Sequence, residues 1–123
     1  MALTLKTYQE NALAALEGFF SGARGARSEA STAEAFAAAR KAALGDSVLK
    51  APYRRFSAEL AEVPQCCIRI PTGGGKTLLA AHAIERAARL YVGTSYPVVL
   101  WLVPSNAIRV QTLEALRLRS HPY

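Results

Sequence analysis

The chain has 123 residues, 51% of them apolar and 20% charged, which allows one modest core and excludes a disordered acidic tail. A formal net charge of +6 favours a polyanionic partner, whether nucleotide, nucleic acid or acidic protein. No apolar run nears the ~20 residues of a membrane span and Met1 to Lys6 lacks a secretory apolar stretch, so a cytoplasmic protein with no membrane contact is expected. The two cysteines, Cys66 and Cys67, are adjacent. Strand neighbours point to opposite faces, so the pair reads as two buried thiols in a reducing compartment rather than a disulfide or a zinc site.

Thr7 and Glu10 have the spacing of a capping box. Ala12, Leu13, Leu16, Phe19 and Phe20 follow at helical spacing, predicting a helix over 7–20 that stops at Gly22. Residues 21–31 are rich in Gly, Ser, Ala and Arg and read as a loop in which Arg24 and Arg27 are solvated. Ser31 and Glu34 open a second, Ala-rich helix that Gly45 ends. Pro52 predicts a short third helix over 53–61, closed by Pro64. Arg40, Lys41, Lys50, Arg54 and Arg55 make this stretch basic.

Residues 65–70 read as a short strand, with Arg69 near its end. They run into Ile70-Pro71-Thr72-Gly73-Gly74-Gly75-Lys76-Thr77. Three glycines let the backbone fold tightly and turn several N–H groups inward. Lys76 sets a mobile positive charge at the mouth of that ring, and Thr77 offers the hydroxyl that holds magnesium between phosphates. A helix begins here, so its positive dipole end faces the same spot. The pattern describes a triphosphate trap for ATP with Mg2+, in which Thr72, Gly73, Gly74, Gly75, Lys76 and Thr77 make the contacts. It departs from strict G-x-x-x-x-G-K-[ST], because Ile70 holds the first glycine position.

A helix over 77–91 follows, with His82, Glu85, Arg86 and Arg89 on its polar side. Residues 97–103 are apolar throughout, as in a strand covered on both faces. Strand, glycine loop, helix and strand would form a right-handed parallel unit. Ser105 is a candidate cap for a last helix over 107–118.

Pro71-Thr-Gly-Gly-Gly-Lys-Thr77 resembles motif I of superfamily 2 helicases and translocases. Tyr8-Gln9 ahead of an amphipathic helix is similar to the entry segment of that superfamily, and 102–112 to its motif Ia. Val63-Pro64-x-Cys66-x-Ile68-Arg69 ahead of the loop resembles restriction-associated members, the motor subunits of type III restriction enzymes. The resemblance implies an α/β fold, the N-terminal portion of a RecA-like phosphate-loop domain with a parallel sheet flanked by helices. It divides the chain into an adenine-recognition helix (1–22), a helical insert (23–64), a strand–loop–helix–strand unit (65–104) and a motif Ia helix (105–123). It implies that Gln9 and Tyr8 contact adenine, that Lys76 and Thr77 are catalytic, and that Ser105 and Arg109 touch nucleic acid, DNA before RNA. A methyltransferase or modification subunit is the protein partner it suggests.

The family's acidic Asp-Glu motif and second lobe have no counterpart in these residues, so a fragment of a longer motor is expected, one that alone binds nucleotide weakly at most and does not hydrolyse it. A stand-alone nucleotide- or nucleic-acid-binding module and a small phosphotransferase are the rival readings. A soluble, monomeric chain that binds ATP favours the first; phosphate transferred to a small acceptor favours the second.

Overall fold

The computed structural model describes residues 4–26, 28–46 and 52–117. Its elements are α1 (Thr7–Ala23), α2 (Glu29–Leu44), a 3-10 turn (Ala58–Leu60), α3 (Lys76–Ala87), a π turn (Ala88–Val92) and α4 (Asn106–Arg117). No strand occurs among the described residues.

That overturns the expected α/β fold with its parallel sheet. A strand exists only with a neighbour, since its backbone groups bond across to another chain segment. The two runs predicted as strands, 65–70 and 97–103, form no ladder with each other or with any described segment. Local composition suggested an extended chain for both runs, the second of them apolar throughout, but could not supply the pairing.

α1 starts when the Lys6 N–H donates to Gln9 Oε1 at 2.9 Å, so Gln9 caps the helix instead of the expected Thr7–Glu10 box. The helix passes the expected stop at Gly22 because that glycine serves packing. A Cβ at Gly22 would lie 2.9 Å from the Ala35 Cβ of α2, and one at Gly18 would lie 3.5 Å from that of Ala39. Small residues facing small residues let the two backbones approach closely. α2 is capped one turn earlier than expected: Ser28 Oγ accepts from Ser31 N at 3.2 Å, and Thr32, fully buried, donates to the Ser28 carbonyl at 3.0 Å. Gly45 ends it with φ of 70°, as predicted.

The core has two centres. Leu13 and Leu16 of α1 pack against Leu79 of α3, with Ile70 and Ala83 around them. Phe19, Ala23 and Ala39 form the second, where the Phe36 ring meets Phe19 edge-on at 5.5 Å and Tyr53 closes the aromatic group. Each fully buried Leu or Phe contributes roughly 1.5–3 kcal/mol. The segment after Pro52 docks through that Tyr53 and does not form the predicted helix; only 58–60 complete a 3-10 turn. Tyr53 Oη accepts from Gln65 N at 3.2 Å and so ties this segment to the run leading into the glycine loop.

α3 is shorter than predicted, since the chain widens into the π turn at Ala88. Arg86, largely covered, lies 2.9 Å from Glu17 of α1, off-line for a hydrogen bond, so the link is ionic. Cys66 and Cys67 are exposed, which corrects their expected burial. Neighbouring atoms still desolvate the Cys66 sulfur and, with the adjacent Cys67, push its thiol above the ordinary range. No helix among the described residues is long and apolar enough to cross a membrane.

Candidate functional site

The glycine loop turns between Pro71 and Lys76. Gly74 N–H donates to the Pro71 carbonyl at 3.0 Å and closes the bend. Gly73 has φ of 76° and Gly75 φ of 80°, left-handed conformations that side chains resist. Gly75 is also the N-cap of α3, so the loop delivers the chain directly into the helix start. A Cβ on Gly74 would sit 2.4 Å from Ile70 Cγ2, and one on Gly75 2.6 Å from Gln9 Nε2. Ile70, at the position where the strict motif has glycine, therefore packs under the loop and helps bury Gly74. Each of the three glycines has its own reason: backbone conformation, lack of space, or both.

Tyr8 and Gln9 meet this loop across 66 and 65 residues of sequence. Tyr8 Oη and Gln9 Nε2 both donate to the Gly74 carbonyl at 2.9 Å. Gln9 is buried, and its Oε1 is the group that caps α1 through Lys6 N. The Gly74–Gly75 peptide is trans, so its N–H points opposite to its carbonyl. Two donors that fix the carbonyl on the α1 side thus direct the Gly75 N–H away from α1.

Lys76 Nζ folds back to donate to the Pro71 carbonyl at 3.1 Å and remains exposed. Thr77 is half-buried in the first turn of α3, and its hydroxyl makes no hydrogen bond among the described residues. Thr72 is exposed, likewise with an uncommitted hydroxyl. An ammonium, free hydroxyls and N–H groups at a helix start make a set that suits an anion and a hard cation. The crowding at Gly74 and Gly75 is against Ile70 and Gln9, so glycine at these positions lets the loop pack closely on α1, whereas a Cβ at Gly73 would meet open space.

Ser105 and Arg109 are brought together with each other but not with the loop. Ser105 Oγ accepts from Ile108 N at 3.4 Å at the head of α4, and Arg109 Nε donates to Asn106 Oδ1 at 2.8 Å. Both residues are exposed, and α4 contacts the other helices marginally at most. His82 is half-buried in α3, and its carbonyl accepts from Arg86 Nη1. The feature that motif reading missed is the Gly74 carbonyl as the meeting point of Tyr8 and Gln9. No local signal marks a backbone carbonyl; only the joint occurrence of the entry segment and the loop hinted that the two adjoin.

No curated protein and no solved structure matches the chain. A family model, described as type III restriction enzyme, res subunit, matches residues 2–123. That match takes in Tyr8 and Gln9, the glycine loop and the Ser105–Arg109 turn alike, and the chain belongs to this family of superfamily 2 motors.

Proposed function

We propose that this chain is the ATP-gripping part of an ATP-dependent DNA translocase or helicase serving a restriction system, with a modification subunit as its protein partner. The observation that carries the reading is the glycine loop itself, with Gly73 and Gly75 left-handed, Gly74 and Gly75 crowded, and Lys76 beginning a helix. Lys76 would leave the Pro71 carbonyl to meet β- and γ-phosphate oxygens, exchanging a neutral acceptor for a charged one. N–H groups of the loop and the first turn of α3 would hold the phosphates. Thr77 would supply one oxygen ligand to magnesium, which when bound neutralises charge between the phosphates. Gln9 and Tyr8 would contact adenine from the α1 side by releasing the Gly74 carbonyl and, for Gln9, the Lys6 N–H, and Thr72 would line the loop mouth. Ser105 and Arg109 would meet a DNA backbone phosphate through hydroxyl and guanidinium.

Equilibrium binding of ATP with Mg2+ tests the proposal. Lys76→Ala is expected to weaken ATP binding at least tenfold, the scale of one charge-assisted hydrogen bond of about 1.5–3 kcal/mol. Equal affinity for wild type and variant would overturn it.

A further inference from the structure

A groove of about 680 Å³ lies at the other end of α3 from the glycine loop. Its volume is that of an ordinary small-ligand site. Arg24, Arg89, Thr94 and Ser95 give it polar groups, and Ile84 and Pro97 are among its apolar walls. From this we infer a second anion site, for a phosphoryl group carried on a nucleotide-sized body.

Arg24 carries the argument. Its guanidinium makes no hydrogen bond or ion pair among the described residues, although it follows directly on α1 and projects over Gly93. A Cβ at Gly93 would lie 3.1 Å from Arg24 Nη2, and Gly93 has φ of 77°, so this glycine both makes the turn and clears room for the guanidinium. Arg89 is ion-paired with Glu17 and Glu85, but only at long range. Its nitrogens stand 3.9 Å from Glu17 and 3.7 Å from Glu85, beyond hydrogen-bond length, while Arg86 holds both carboxylates at shorter range.

Two features oppose an anion here, and both are partly neutralised. Glu85 lines the groove, but Arg86 Nη1 already pairs with it at 3.1 Å. The helix end presents carbonyls, yet the Ala88 carbonyl is taken by the N–H groups of Gly93 and Thr94 at 2.7 and 3.1 Å. The π turn produces that double capture by widening the last turn, so the chain leaves at Gly93 beside Arg24. Two guanidiniums and two hydroxyls then face a phosphate from different elements, while Ile84 and Pro97 offer surface for an apolar ring or sugar.

Amide-resolved NMR titration of the chain tests this with inorganic phosphate, AMP and a short 5′-phosphorylated single-stranded DNA as probes. The expected result is saturable shifts at Gly93, Thr94 and Ser95 that persist in Lys76→Ala. The Arg24→Ala and Arg89→Ala variants should each weaken binding about tenfold or more, and Arg24→Lys should retain part of it. Saturation by AMP identifies a free nucleotide as ligand; saturation by the DNA alone identifies a strand. Shifts confined to residues 73–77, or shifts at Gly93–Ser95 that are indifferent to both arginine variants, would overturn the second site while leaving the first intact. If Arg89→Ala disturbs the helices, Arg24→Ala decides alone, because that side chain holds nothing else in place.

Discussion

At the scale of single residues, the glycine loop offers a test in which two strains add. Gly75→Ala forces an L-residue to φ near 80° and sets a methyl 2.6 Å from Gln9 Nε2. A left-handed non-glycine residue costs about 1–3 kcal/mol. The collision must also displace Gln9, which caps α1 and holds the Gly74 carbonyl. Gly25→Ala is the control, since a Cβ there meets nothing within 4 Å. Denaturant unfolding should show Gly75→Ala less stable by at least 1–3 kcal/mol and Gly25→Ala within about 0.5 kcal/mol of wild type. Equal midpoints for the two variants would mean that the loop is not held as described. The glycines were legible because their chemistry is local: three in a row before Lys76-Thr77 have few other uses. Gln9 was not legible from its own surroundings. A glutamine in a first helical turn is ordinarily solvated, and its burial depends on a loop 65 residues away. The same distance effect misplaced Cys66 and Cys67, whose predicted burial presumed a sheet around them.

At the scale of elements, propensity and packing make opposite predictions for Gly22. In an isolated helix, replacing glycine gains about 1 kcal/mol. Here a side chain at Gly22 runs into the Ala35 Cβ of α2 at 2.9 Å. Overpacking of that kind costs about 1–3 kcal/mol. Gly22→Leu is therefore expected to lower the unfolding midpoint, and a raised midpoint would show that propensity prevails and that α1 and α2 are not in close contact. This conflict explains why Gly22 read as a helix stop: glycine marks either an end or a close approach, and sequence position alone favours the end. Helix existence was legible where apolar spacing ran long, as in α1 and α3, and where Ala-rich propensity followed a cap, as in α2. The short helix expected after Pro52 rested on one start signal with no repeating apolar face, and Tyr53 instead spends its ring on Phe19 and Phe36. The π turn has no propensity signature; it arises where Gly93 and Thr94 share one carbonyl.

At the scale of the whole molecule, the core lies among α1, α2 and α3, while the most apolar run of the chain stays outside it. Val98, Leu100 and Leu102 are 104%, 82% and 81% exposed, whereas Trp101 and Val103 between and beyond them are partly covered. That alternation has the period of an extended chain with one face toward the protein and one bare. A parallel sheet was read from this run because continuous apolar residues suit a strand covered on both sides, but coverage is a property of neighbours rather than of the run. A bare apolar segment with unpaired backbone groups is a template for association. Leu100→Lys with Leu102→Lys should therefore suppress concentration-dependent light scattering while leaving the helices intact, since neither side chain contributes to the core. The unfolding midpoint should move by no more than about 0.5 kcal/mol, the usual range for exposed positions. A large loss of stability would instead place these leucines in the folding core and refute the three-helix account of what holds the chain together. Unchanged scattering would move the cause of association to another exposed apolar side chain, such as Phe56 or Tyr96, both more than nine-tenths exposed. The charge change separates these outcomes, because a lysine disrupts an apolar contact between molecules but not a helix that never touched the residue it replaces.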